Sequence, residues 1–377
     1  MRIATVVGTR PQLIKAAVLQ PLLRARHVEV LVDTGQHYDD VLAGAFVSEL
    51  GLAPPDHHLR VGGGSATEQT AAMLGRLEPI LAAERPDVVI VYGDTNSTLA
   101  GSIVAAQLGI PLAHVEAGLR SFDRRMPEEV NRVIVDHLAT WSFAPTPTAV
   151  RNLAAEGVSQ GVYLVGDLMQ DLASRMSADV RDPAILARIE ERLAGAAPGL
   201  QLRPGGYLFA TVHRAENRQA QALHDWAELL ATVASAARPV VLALHPGTSA
   251  ALEAAGVRLA PTIRVIEPQG YRTTLALELH SAAVLTDSGG VQREAAWLGV
   301  PCLILRSTTE WLEAVHESDG RMVVVGLDRE RAVATLARLA PLDSAPAAAA
   351  ERARTFQLAP AGAGEAIVAA LEAGRPE

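Results

Sequence analysis

The chain has 377 residues, 49% hydrophobic, 20% charged and 4% aromatic, a length that suits two domains with separate cores. A net charge of −9 and an isoelectric point near 5.7 exclude a nucleic-acid binder working through a broad basic face, and no apolar run approaches the ~18 residues that cross a bilayer. Cys302 is the only cysteine, which excludes an intrachain disulfide and a multi-cysteine zinc site; its setting, VPCLIL, reads as a buried strand in a protein of the reducing cytoplasm.

In chain order, short β-rich runs alternate with helical patterns. RIATVV is followed by a helix from Pro11, VEVLVD by TGQHYDDVLAGAFVSEL, DVVIVYGD by NSTLAGSIVAAQL, and PLAHVEAG by PEEVNRVIVDHLA. The chain begins directly with the first of these strands, without a small-residue cleavage site. A second series starts near Gly205 with YLFATVHRAEN, PVVLALHPG, IRVIEPQG, AAVLTDSGG, PCLILR and RMVVVG. Such alternation predicts parallel strands covered by helices on both faces, hence two doubly wound domains. The segment from Met169 to Pro204 has little strand character and marks the linker. The expected division is residues 1–170 and 171–360, with a C-terminal helix, 361–377, returning to the first domain.

Ligands of open α/β sheets bind beyond the carboxyl ends of the strands. Polar residues follow apolar strands at Gly8 to Arg10, Gly93 to Thr95, His114 to Gly118, His213 to Asn217, His245-Pro246 and Asp287 to Gly290, and the two domains are expected to face a common cleft. Ser288, Gly289 and Gly290 leave backbone N–H groups at a helix start, a geometry suited to phosphate, although the pattern is neither GxGxxG nor a Walker loop. A plain glycine turn with a serine cap is the bland alternative. Arg10, at the start of a helix whose dipole opposes it, also suggests an anion. Lys15 is the only lysine among 33 basic residues and lies one turn past Gln12.

The stretch HVEAGLRSFDRRMPEEVNR, His114 to Arg132, holds the densest charge. Glu128 and Glu129, in a first helical turn, fit simple dipole capping, as Asn217 fits a cap for the helix after HRAEN. Capping explains neither Glu116 nor Asp94, each following a neighbouring strand, and such acids suit general acid/base work. Arg120, Arg124, Arg125 and Arg132 balance these acids, hold an anionic substrate, or are solvated.

GTRPxxIK, TGQH, GDTxSTLAG with HVEAGLR and PEExNR, HRAEN, and DSGGxQxEA followed by LRxxTE occur in that order from Arg2 to Gly326. Together they resemble the bacterial non-hydrolysing UDP-N-acetylglucosamine 2-epimerases. The resemblance implies two Rossmann-like domains of the GT-B type, a UDP-sugar and UDP as ligands, a cytoplasmic homodimer, and neither cofactor nor metal. It also implies anti-elimination of UDP to 2-acetamidoglucal and re-addition with C2 inverted. By position, the catalytic groups fall on Asp94, Glu116, Glu128 and His213. Arg10, Lys15, Ser288, Gly289 and Gly290 match diphosphate contacts, Glu294 a ribose contact, Arg132 a sugar-proximal arginine, Tyr271 a uracil-proximal aromatic and Gln36 an activator region.

Three motifs depart from the usual pattern. TERPE reads Thr309-Glu310-Trp311-Leu312-Glu313, QEEA reads Gln292-Arg293-Glu294-Ala295, and GNT reads Gly166-Asp167-Leu168. With MPEE and PCxxLR, they resemble a branch that includes 2-epimerases of UDP-2,3-diacetamido-2,3-dideoxyglucuronate, whose C6 carboxylate would suit Arg124 or Arg125. The rival readings are a hydrolysing epimerase, a GT-B glycosyltransferase and a UDP-sugar sensor.

Overall fold

The structure, a computed structural model, describes residues 1–36, 51–309, 311–339 and 362–376. The helix expected over TGQHYDDVLAGAFVSEL lies almost wholly outside them, as does Glu310. Two compact units are formed, one from Met1–Leu172 together with the C-terminal helix, the other beginning at Ala173.

The first unit runs β1 (Arg2–Val7), α1 (Arg10–Arg24), β2 (Val28–Asp33), β3 (His57–His58), α2 (Ala66–Glu84), β4 (Val88–Tyr92), α3 (Asn96–Gln107), β5 (Leu112–Val115), α4 (Pro127–Leu138), β6 (Trp141–Ala144), α5 (Pro147–Ala155), β7 (Val162–Leu164) and α6 (Leu168–Val180). Its seven strands lie in the order β3-β2-β1-β4-β5-β6-β7, every pairing parallel. Helices on both faces bury the central strands completely, which is why β4 reads VVIVY with no polar alternation.

From Ala173 onward the second unit contains the rest of α6, then α7 (Ala184–Leu193), β8 (Leu208–Val212), a 3-10 turn (Ala215–Arg218), α8 (Ala220–Val233), β9 (Val240–Leu244), α9 (Pro246–Ala255), β10 (Ile263–Ile266) and α10 (Tyr271–His280). It continues through β11 (Ala283–Thr286), α11 (Gly289–Trp297), β12 (Cys302–Ile304), α12 (Leu312–Glu317), β13 (Met322–Val324) and α13 (Arg329–Leu339). The strand order is β10-β9-β8-β11-β12-β13, again all parallel. Cys302 is fully buried in β12, and burial pushes its thiol well up. Both units are therefore Rossmann-like. No helix among the described residues is long and apolar enough to cross a membrane.

The final helix, α14 (Ala363–Glu372), packs on α1. Asp171 fixes its start by accepting from the amides of Gly362 at 3.1 Å and Gly364 at 3.0 Å, a carboxylate set against the positive end of the helix.

Strand order reverses at β1/β4 in the first sheet and at β8/β11 in the second. Such switch points open a crevice beyond the strand ends. The turns after these four strands carry Gly8 to Arg10, Gly93 to Thr95, His213 to Asn217 and Asp287 to Gly290. At the first, a Cβ on Gly8 would overlap Thr34 Oγ1 and Ser97 Oγ, which hydrogen-bond each other at 2.7 Å. Gly8→Ala should therefore cost about 1–3 kcal/mol through overpacking. Chemical denaturation checks this, and a loss below ~0.5 kcal/mol would show that the crowding is easily relieved.

Candidate active site

In the first unit, the turns after β1 and β4 are joined through Gln12. Its side-chain oxygen accepts from the amides of Gly8 at 2.9 Å and Thr9 at 3.1 Å, while its nitrogen donates to the Tyr92 carbonyl at 2.8 Å and Thr98 Oγ1 at 2.9 Å. The start of α1 is thereby tied to the end of β4 and the start of α3. Arg10 is half-buried at the head of α1. One turn further, Lys15 is 4% exposed and its ammonium pairs with Glu116. Gln36 caps the same region: its oxygen accepts from Ser97 N at 3.0 Å and Ser97 Oγ at 2.7 Å.

Glu116 follows β5 in the left-handed region, φ 74°, an unusual conformation for a residue with a side chain. Its amide donates to the Phe143 carbonyl at 3.0 Å, which holds it there. Gly93 also has positive φ, 61°, and a Cβ at this position would lie 3.3 Å from Glu116 Oε2. Only glycine meets both demands at the turn before Asp94.

Asp94 pairs with Arg132, which also reaches Glu129 at 3.1 Å. Although 30% of the Asp94 side chain is open, packed protein surrounds its carboxyl, and this desolvation raises its pKa. The attraction of Arg132 opposes that rise, the nearby charge of Glu116 adds to it, and Lys15 again opposes it. Asp94, Glu116, Lys15 and Arg132 thus form one set of alternating charges. Glu128 is half-buried at the start of α4 and has no ion pair among the described residues.

The charge-dense stretch separates into distinct jobs. Glu129 lies in the first turn of α4 as expected but does more there: it is 2% exposed, and its carboxylate accepts from Ser121 N, Ser121 Oγ and Phe122 N, each at 2.9 Å, pinning the loop before α4. Arg120 is buried against Asp136 and Glu156. Arg125 is solvated and pairs with Asp123, whose carboxyl it holds down to about 2. Arg124 is exposed.

In the second unit the organising group is Asp287, fully buried at the end of β11. It accepts from the backbone amides of His213 at 3.0 Å and Arg214 at 2.9 Å, and from Asn217 Nδ2 at 2.9 Å. Its Oδ1 lies 3.3 Å from His213 Nδ1, so the carboxylate orients the imidazole, 42% of which faces solvent. Asn217 accordingly does not cap α8. Its side chain spans Asp287 and the Leu305 carbonyl, and its backbone oxygen accepts from Trp226 Nε1 at 3.0 Å.

The start of α11 combines a serine cap with open amides. Ser288 Oγ accepts from Val291 N at 3.5 Å, and Ser288 N donates to Thr286 Oγ1 at 3.0 Å. The Ser288 amide is therefore already used, contrary to expectation. Those of Gly289 and Gly290 have no acceptor among the described residues, and they sit at the positive end of the helix. Tyr271, the first residue of α10, is 3% exposed. Glu294, 5% exposed on α11, neighbours Glu278 of α10.

The chain is similar to known proteins over nearly its whole length. Residues 22–372 match the family model described as UDP-N-acetylglucosamine 2-epimerase. The chain belongs to that family. An epimerase is an isomerase, and that is its class of enzyme. A Methanococcus maripaludis protein named as a UDP-N-acetylglucosamine 2-epimerase homolog is 40% identical, covering 90% of this chain and 93% of its own. The UDP-2,3-diacetamido-2,3-dideoxy-D-glucuronate 2-epimerase of Pseudomonas aeruginosa is also 40% identical, covering 88% of this chain and 90% of its own. A crystal structure of the Methanocaldococcus jannaschii UDP-GlcNAc 2-epimerase in complex with UDP-GlcNAc and UDP superposes with a TM-score of 0.85 at 34% identity, covering 99% and 100% of the two chains.

Within the family pattern, two of the departures meet. The Arg293 guanidinium lies 4.2 Å over the Trp311 ring and 5.7 Å from that of Trp297. QREA and TEWLE are thus two halves of one cation–π contact. The third, Asp167, begins α6, its Oδ1 accepting from Met169 N at 2.8 Å.

Glu278 is fully buried, and neither carboxyl oxygen receives a hydrogen bond from a donor. Burial raises its pKa well above the usual 4.5, and the adjacent Glu294 carboxyl raises it further. The folded chain keeps a proton that the unfolded chain releases above 4.5, so this contribution to stability is complete at low pH and declines as pH rises toward the folded value. Glu278→Gln, neutral throughout, should raise Tm at pH ~8 by at least about 2 °C, with the gain vanishing near pH ~4.5. Calorimetry at both pH values checks this; an equal gain at each would contradict the protonated carboxyl.

Proposed function

We propose that this chain is a non-hydrolysing 2-epimerase that interconverts UDP-N-acetylglucosamine and UDP-N-acetylmannosamine. The supporting observation is the alternating charge set of Asp94, Glu116, Lys15 and Arg132 at a strand-order switch point, in a chain of this family. C2 of the sugar bears no adjacent carbonyl, so its proton is hard to remove directly. Departure of the diphosphate from C1 builds positive charge on the ring and acidifies that proton. A carboxylate takes it, the C1–O bond breaks, and the C1=C2 double bond of 2-acetamidoglucal forms. UDP then adds back to C1 while a proton is delivered to the other face of C2.

In this reading the first unit supplies acid–base groups, Asp94, Glu116 and Glu128, with Arg132 beside the sugar. Lys15 and Arg10 offer positive charge to the diphosphate. The second unit supplies the open amides of Gly289 and Gly290 with Ser288, the Glu294 carboxylate for ribose, Tyr271 for uracil, and His213, oriented by Asp287, as a further catalytic group. Gln36 marks the activator region implied by the resemblance. The enzyme works as a cytoplasmic homodimer without cofactor or metal and serves cell-surface polysaccharide biosynthesis.

A second substrate is favoured by one observation. The P. aeruginosa relative, named for a diacetamido glucuronate, shares 40% identity, and Arg124 presents an exposed guanidinium suited to a C6 carboxylate.

Incubation with UDP-N-acetylglucosamine in deuterated water should place deuterium at C2 of both epimers, read by mass spectrometry, without stoichiometric free UDP. Accumulating UDP would indicate a hydrolysing enzyme, while exchange only with the diacetamido uronate would move the substrate. Asp94→Asn and Glu116→Gln should each lower turnover by ~10²-fold or more while UDP affinity stays near that of the parent. Unchanged turnover in both would remove the catalytic assignment.

A further inference from the structure

His114 has no role in the reaction outlined above, yet its side chain is fully buried in β5 between the turns that bear Asp94 and Glu116. Its Nε2 lies 2.7 Å from the Gly93 carbonyl, and its Nδ1 lies 2.7 Å from Asp136 Oδ1. A carbonyl oxygen only accepts, so Nε2 carries hydrogen. Asp136 also acts as an acceptor: its Oδ2 receives the Gly118 amide at 3.1 Å and Arg120 Nη1 at 2.7 Å. Burial alone would raise the Asp136 carboxyl, but His114 and Arg120 outweigh that and hold it below the usual range. His114 thus bridges the Gly93 carbonyl and the Asp136 carboxylate through its two ring nitrogens.

The consequence is a continuous chain of bonds. It runs from Gly93, through His114 and Asp136, to Gly118, with Arg120 extending it to Glu156 at 2.6 Å. Asn131 braces the other side of the first turn by donating to the Asp94 carbonyl at 2.9 Å. Glu116 sits between His114 and Gly118 in a conformation that its own backbone disfavours.

We propose that His114 is a positioning residue, locking the Gly93-Asp94 turn to the Glu116–Gly118 turn and so fixing the spacing of the two carboxylates. This inference rests on the proposed epimerase reading for its effect on turnover, but its structural half can be tested without substrate.

An asparagine amide takes the place of Nδ1 and a glutamine amide that of Nε2. His114→Asn thus keeps the bond to Asp136 and loses that to Gly93, whereas His114→Gln keeps the bond to Gly93. Small displacements of reacting groups are costly, so His114→Asn should lower kcat by about 10- to 100-fold with KM within about threefold, and His114→Gln should recover at least about threefold of that loss. A smaller fall, a KM change of equal size, or no recovery would overturn the proposal. Hydrogen exchange by mass spectrometry on the unliganded His114→Asn protein should show faster exchange at Gly93–Thr95 and Glu116–Gly118 together. Faster exchange in one turn alone, or in neither, would overturn it. Should His114→Asn not fold, Asp136→Asn removes the charge at the other end of the same chain and must give the same paired increase. Failure of the wild-type protein to exchange C2 hydrogen would count against the epimerase reading, while the exchange experiment would still decide the role of His114.

Discussion

An ionised group taken out of water must be given an opposite charge or a full set of hydrogen bonds, because an unpartnered buried charge costs several kcal/mol. The strand-end turns of the first unit are arranged around that requirement. Glu116 has Lys15, Asp94 has Arg132, Glu129 has Arg132 and three loop donors, and Asp136 has His114 and Arg120. Except for Glu129 and Arg132, which share α4, cation and carboxylate come from different elements, so the pairs also tie α1 and α4 to the turns after β4 and β5. The second unit uses a backbone solution, with Asp287 satisfied by two amides and Asn217.

Much of this could be read from the sequence wherever the signal was local. Strands covered on both faces appear as unbroken runs, and β1, β4, β8 and β11 were anticipated for that reason. Strands β6 and β7 were not: WSFA and VYL are too short and mixed to announce themselves, and only pairing with β5 and with each other makes them strands. Asp94 and Glu116 stood out because an acid directly after an apolar strand has no bland explanation.

The bracing groups were hidden because their partners are distant in sequence. Gln12 reaches the Tyr92 carbonyl across 80 positions and Asp287 reaches His213 across 74. Two glutamates in a first turn satisfy the dipole rule, which hides that the donors Glu129 also serves lie seven and eight residues earlier. His114, grouped by its motif with the polar residues that follow strands, lies inside the sheet as part of β5. Nor did QREA and TEWLE reveal that they answer one another.

Lys15 is the only lysine in the chain, and the other 32 of its 33 Lys and Arg residues carry a guanidinium. Apart from the N-terminus, the protein offers amine-directed chemistry a single target, and that target is shut away against Glu116. Acylating reagents, and cellular modifications that act on lysine, would find almost nothing on the surface. Whatever labelling of Lys15 did occur would report how often this one ion pair opens.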